Sequence, residues 1–182
     1  NICKKSEISK NQYDYKISLG SLNKYFFKEK NSNSSDLINF NEDRKKYWET
    51  IIKNKKKNIG LVWSGNFFGP KEPSRSIELK KLDKLMKLDL NFYSFQNEIW
   101  DRDKEFFNNS NIIDLSKKSL SEILTIIKNL DLVISADTFF LHLSCICSKE
   151  TWGLIGLDAD WRWYEYYKHN PYETLKIYKQ HD

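Results

Sequence analysis

Residues 130–155, LDLVISADTFFLHLSCICSKETWGLI, read as strand, helix, strand. Leu130 to Ser135 is a short apolar run of the kind that lies buried between neighbouring strands. Asp137 and Thr138 follow it, and short polar side chains at such a point favour a helix N-terminus. Thr138 to Cys147 is apolar almost all round and predicts a buried helix. Glu150 to Ile155 predicts the next strand. Two strands joined through one helix pair in parallel, and the crossover is right-handed.

The same alternation runs back through the chain. Asn58 to Ser64 (NIGLVWS) is an apolar run that stops at Gly65. Leu79 to Leu88 places Leu79, Leu82, Leu85, Met86 and Leu88 near one helical face. Asn91 to Gln96 and Asn111 to Leu115 read as strands, with Asp101 to Asn108 as a short helix between them. Ser119 and Glu122 form a capping box ahead of a helix whose apolar stripe is Leu120, Ile123, Leu124 and Ile127. Asn41 to Lys57 is charged and helical, with Trp48, Ile51 and Ile52 on one side. Further upstream, Tyr13 to Leu22 suggests a strand and a turn at Gly20, and Lys28 to Asp36 (KEKNSNSSD) reads as a linker. The expected class is α/β, a Rossmann-like parallel sheet with helices on both faces.

Composition agrees with a packed domain. Of 182 residues, 40% are hydrophobic and 15% aromatic, which excludes a disordered or collagen-like chain. Thirty Lys+Arg against 25 Asp+Glu give a net charge of +5. The basic residues are scattered among acidic ones, so no nucleic-acid-binding face is expected, whereas an anionic small molecule is compatible. Cys3, Cys145 and Cys147 make neither a disulfide framework nor, with the histidines, a zinc site. They fit small core residues in a reducing compartment, the cytoplasm. No apolar run reaches the length of a membrane span, and no signal peptide is visible at the start.

In parallel sheets, ligands bind beyond the carboxyl ends of the strands. The first such end is Ser64-Gly65-Asn66, with Arg75 and Ser76 about ten residues on. Backbone amides at a glycine, a serine hydroxyl and an arginine fork suit a phosphate. The same pattern fits an ordinary turn with a solvated arginine. The second end is Asp137-Thr138, which would cap a helix and turn its positive end toward an anion, or serve as a cap only. His142 lies one turn further on, where a histidine among Phe140, Leu141 and Leu143 also suits a core position. Gln96, at the end of its strand, can reach a ribose or base. The aromatic stretch Trp161, Trp163, Tyr164, Tyr166 and Tyr167 fits either stacking on a ligand or packing.

In order, IGLVWSGN, RSIEL, FYSFQ, LDLVISADT with LHL, and DWRW…NPY…LKIYKQ resemble one family over about residues 58–180. The chain is similar to the C-terminal lobe of GT-B glycosyltransferases attached to tetratricopeptide repeats, relatives of the heptosyltransferases. Tyr15 to Leu22 resembles the passage by which that family leaves its first lobe. The resemblance implies residues 1–40 as the end of an N-terminal lobe with the inter-lobe linker, and 41–182 as the nucleotide-sugar-binding lobe. It implies a nucleoside-diphosphate sugar as co-substrate, with no metal or other cofactor. By position, Ser64, Gly65, Asn66, Arg75 and Ser76 would line the donor phosphates, and Gln96 would lie near the nucleoside. Asp137, Thr138 and His142 would match the donor-binding Asp-Thr pair and the histidine of the following helix.

The implied reaction is inverting, metal-independent transfer to the hydroxyl of a glycan, lipid-linked or protein acceptor. The catalytic base would come from a first lobe that the 182 residues do not include, and an upstream repeat domain is a further expected partner. The pattern departs at Phe139, where heptosyltransferases place glycine and repeat-linked relatives often alanine, and at Glu150. Phe139 and the aromatic stretch motivate the alternative of a non-catalytic interaction domain that retains the fold. An open cavity facing Arg75, between the 64–66 loop and Thr138, would favour donor binding. One filled by Phe139 or Trp161 would favour the interaction domain.

Overall fold

The computed structural model describes residues 41–52, 55–67, 74–159, 163 and 172–180. All belong to the second of two units into which the chain divides, Asn33–Asp182. The expected strand at 13–22, the linker at 28–36 and the assignment of residues 1–40 lie outside the described residues, as do Trp161, Tyr164, Tyr166 and Tyr167.

Six parallel strands form one sheet: β1 (Asn58–Val62), β2 (Asn91–Ser94), β3 (Ile113–Asp114), β4 (Leu132–Ala136), β5 (Thr151–Ile155) and β6 (Leu175–Lys179), in the order β3-β2-β1-β4-β5-β6. The helices are α1 (Glu42–Ile52), α2 (Asp83–Met86), α3 (Asp101–Asn108), α4 (Leu120–Asn129) and α5 (Phe139–Ile146). β1 is central, with Leu61 level with Ser94 of β2 on one side and Ile134 of β4 on the other. The order reverses at β1 and β4, so the loops leaving their carboxyl ends diverge and open a crevice.

Residue alternation along each strand splits the core into two layers. On one face Val62, Tyr93, Phe95 and Val133 pack against Trp48 and Ile52 of α1, Ile123, Ile126 and Ile127 of α4, and Phe140 and Leu143 of α5. On the other, Ile59, Leu61, Trp63, Phe92 and Ile134 meet Leu79, Leu82, Leu85 and Met86, together with Phe106 and Phe107 of α3. A third cluster joins Leu141 and Cys145 to Ile155, Trp163 and Leu175. Helices therefore cover both faces, as the apolar strands require.

The two cysteines point into different clusters, Cys145 into the third and Cys147 into the first. Burial pushes both thiols up to about 11, which keeps them protonated and chemically quiet near neutrality. Gly60 stands where a Cβ would come within 2.8 Å of Leu130 Cδ1 and 2.9 Å of Phe95 Cε2. A side chain there would have to displace the Leu130 and Phe95 side chains.

The capping box at the start of α4 is complete. The Ser119 hydroxyl accepts from Glu122 N at 3.4 Å, and the Glu122 carboxylate accepts from Ser119 N at 3.3 Å. Other details differ from the sequence reading. Leu79–Leu82 is a 3-10 turn that runs into the single α-turn α2, and Leu88 is exposed. Ile51 and Leu120 are also exposed, and Thr125 and Ile126 take inward places on α4 instead. β6 adds an edge strand that the sequence reading leaves unassigned.

Candidate functional site

The crevice at the reversal point holds a cavity of about 280 Å³. Ser64, Gly65 and Asn66 from the β1 end and Arg75 line it together with Gln96, Asn97 and Glu98 from the β2 end. Thr138, Phe139 and Phe140 from the start of α5 supply the remaining wall, with Val62 and Phe95 at its base. Six of the nine residues singled out in the sequence thus converge on one space, Arg75 among them. Phe139 stands at its wall, 59% exposed, and does not fill it.

The loop after β1 is fastened by side chains distant in sequence. Gln96 Oε1 accepts from Trp63 N at 3.2 Å and from Ser64 N at 3.1 Å. Its Nε2 donates to Ser64 O at 3.0 Å and to Glu98 O at 3.1 Å. All four hydrogen-bonding sites of that amide are therefore engaged with backbone. Gln96 lines the cavity and shapes it, without an amide position left over for a ligand. Ser76 likewise faces the loop: its hydroxyl accepts from Gly65 N at 3.1 Å. Ile77 N donates to Trp63 O at 2.8 Å and zips the returning segment to the strand end. Phe67 N donates to the Glu98 carboxylate at 3.3 Å.

With those amides engaged, the polar groups left to meet an anion lie elsewhere. The Ser64 hydroxyl is buried and has no hydrogen-bond partner among the described residues. A buried hydroxyl without a partner is costly, which marks it as a place for a ligand or an ordered water. Across the cavity Thr138 is the N-cap residue of α5, yet its side chain does not cap the helix. Its hydroxyl turns back to the Ser135 hydroxyl at 3.0 Å. The N-cap side chain thus leaves the first-turn amides of α5 uncapped, and the helix start keeps its partial positive charge.

Asp137 is buried behind this wall, beside a crevice of about 10 Å³ that it shares with Ser74, Arg75, Ile155, Gly156 and Asp158. Gly156 explains how the segment carrying Arg75 comes so close to β5. A Cβ on Gly156 would lie 2.5 Å from Ser74 O, so only glycine admits the contact. His142 does not line the cavity. Its ring stacks on Trp163 with centroids 5.6 Å apart and planes at 15°, and its Nδ1 lies 3.2 Å from Tyr172 Oη. Sequence reasoning missed Glu98 and Gly156; neither stands in a local pattern, and both act on residues more than thirty positions away.

No family model and no curated protein matches the chain. Solved structures do. The glycosyl transferase family 9 protein of Veillonella parvula aligns with 80% of this chain and 43% of its own length, at a TM-score of 0.56 and 14% identity. The E. coli heptosyltransferase WaaC, solved with ADP, aligns with 75% of this chain and 42% of its own, at 0.52 and 13%. E. coli ADP-heptose lps heptosyltransferase II gives 78% and 44%, at 0.52 and 12%. The chain thus spans less than half the length of each. Sheet order and crevice place it in the Rossmann-like class of α/β lobes. Within that class its fold is that of one lobe of a heptosyltransferase-like GT-B glycosyltransferase.

Proposed function

We propose that residues 41–182 bind a nucleoside-diphosphate sugar as the donor lobe of a glycosyltransferase. The observation that carries this reading is the 280 Å³ cavity in which the Ser64 hydroxyl, Arg75 and the uncapped start of α5 converge. A diphosphate there accepts hydrogen bonds from the first-turn amides and from the guanidinium fork. An acceptor hydroxyl attacks the anomeric carbon, the bond from that carbon to the phosphate oxygen breaks, and configuration inverts. Arg75 and the helix start stabilise the charge that grows on the leaving diphosphate, without need of a metal ion. The proton of the attacking hydroxyl passes to a base supplied from outside this lobe, by an upstream lobe that also holds the glycan, lipid-linked or protein acceptor. The buried thiols accord with a cytoplasmic setting, and among the described residues no helix is long and apolar enough to cross a membrane.

Calorimetric titration with ADP, UDP and GDP tests this. One nucleotide binds, and Arg75→Ala weakens it about ten- to hundredfold, the loss expected for charge-assisted bonds to phosphate. A second reading, a non-catalytic interaction domain, draws on the loop amides already engaged by Gln96, Ser76 and Glu98 and on the Glu98 carboxylate in the cavity wall. Absence of binding by all three nucleotides at millimolar concentration favours it.

A further inference from the structure

Three phenylalanines form a continuous file from the core to the cavity. Phe95, fully buried at the end of β2, stacks on Phe140 with centroids 5.7 Å apart and planes at 16°. Phe140, 8% exposed, meets Phe139 edge-on at 5.6 Å and 71°. Phe139 ends the file 59% exposed, and all three line the cavity. A lone exposed phenylalanine needs no explanation. One braced by two buried rings, on the wall of a cavity, is a fixed apolar face presented to whatever occupies that cavity.

Its position says which part of an occupant it meets. Phe139 is the first residue of α5, immediately after the N-cap that borders the proposed diphosphate position. Asn97 and Glu98, whose polar groups suit a nucleoside, also line the cavity and follow β2, which lies across β1 from β4, the strand that leads into α5. A donor spanning the site with its nucleoside toward β2 places the transferred sugar beside α5. We infer that Phe139 is a specificity-determining residue, whose ring packs against the C–H face of the transferred sugar and favours sugars with an unbroken apolar face. This rests on the donor-lobe reading above.

The test compares each nucleoside diphosphate with its sugar conjugate on the full chain: UDP with UDP-glucose, ADP with ADP-glucose, GDP with GDP-mannose. Because the ring is mostly exposed, Phe139→Ala leaves the fold intact, which thermal melting checks. The variant loses about five- to tenfold in affinity for the sugar conjugate and keeps its affinity for the free diphosphate. Phe139→Trp restores the conjugate. Equal losses for conjugate and diphosphate overturn the inference by placing the ring on the nucleotide, and unchanged affinity for both overturns it by removing the ring from the site. If no diphosphate binds the wild-type chain, the donor-lobe reading itself fails and this inference fails with it.

Discussion

Gln96→Leu isolates the fastening of the β1 loop. The substitution keeps roughly the same volume and removes the amide, so no large cavity opens. Four hydrogen bonds to backbone of 3.0–3.2 Å disappear together. At about 1 kcal/mol each the loss is about 4 kcal/mol, and the buried amides of Trp63 and Ser64 are left without their acceptor. Extra apolar burial by leucine returns about 1 kcal/mol. The net cost is about 3 kcal/mol, or a fall in melting temperature of about 6–12 °C for a domain of this size. Urea denaturation followed by tryptophan fluorescence reads it directly, with an unchanged slope confirming that the unfolded state is the same. A cost below about 1 kcal/mol would refute the reasoning, because it would mean that water serves the strand end as well as the glutamine does.

Asp103 is fully buried and accepts from Trp63 Nε1 at 3.0 Å and from Leu79 N at 2.8 Å. Asp103→Ala destabilises by about 3–5 kcal/mol, and Asp103→Asn, which keeps one acceptor, by clearly less in the same denaturation assay. Gly156→Ala pushes the Ser74 carbonyl and Arg75 aside and weakens nucleotide binding about tenfold by calorimetry, whereas Gly153→Ala, whose Cβ would meet Leu141 Cδ1 at 2.9 Å in the core, lowers the melting temperature without that selective loss. The Ser119 backbone amide, with the Ser119 hydroxyl and the nearby Lys118 and Arg44 charges, holds the Glu122 carboxyl below its ordinary value of 4.5. Its stabilisation is therefore present above that value and is lost as pH falls through the lower folded value. The stability gap between wild type and Glu122→Gln should shrink between about pH 6 and about pH 3, and a constant gap would contradict the assignment.

What could be read in the sequence was what short-range chemistry decides. The capping box of Ser119 and Glu122, the apolar run of β1 and the strand–helix–strand of 130–155 each depend on neighbours within a few positions. Leu79–Leu88 misled because its leucine spacing suits a helix of almost three turns, while Leu88 is left in solvent and the first turn tightens to 3-10 geometry. The site was half legible. Ser64 and Thr138 were singled out because strand ends in parallel sheets face ligands, and both line one cavity with Arg75. That Gln96 and Ser76 would fasten the loop was not legible, because those bonds join residues 32 and 11 positions apart. Thr138 bonds to Ser135 instead of capping its helix, a choice between two nearby partners that residue type alone does not make. His142 matched a pattern in order but stacks on Trp163 and does not line the cavity.

Amide NMR shift mapping of the chain with the nucleoside diphosphate it binds tests the central claim most directly. The account predicts the largest shifts at Ser64 to Asn66 and at Phe139 and Phe140, with about ten- to hundredfold more nucleotide needed to reach them in Arg75→Ala. Shifts centred on Trp163 and Tyr172, or a titration that Arg75→Ala leaves unchanged, would contradict it.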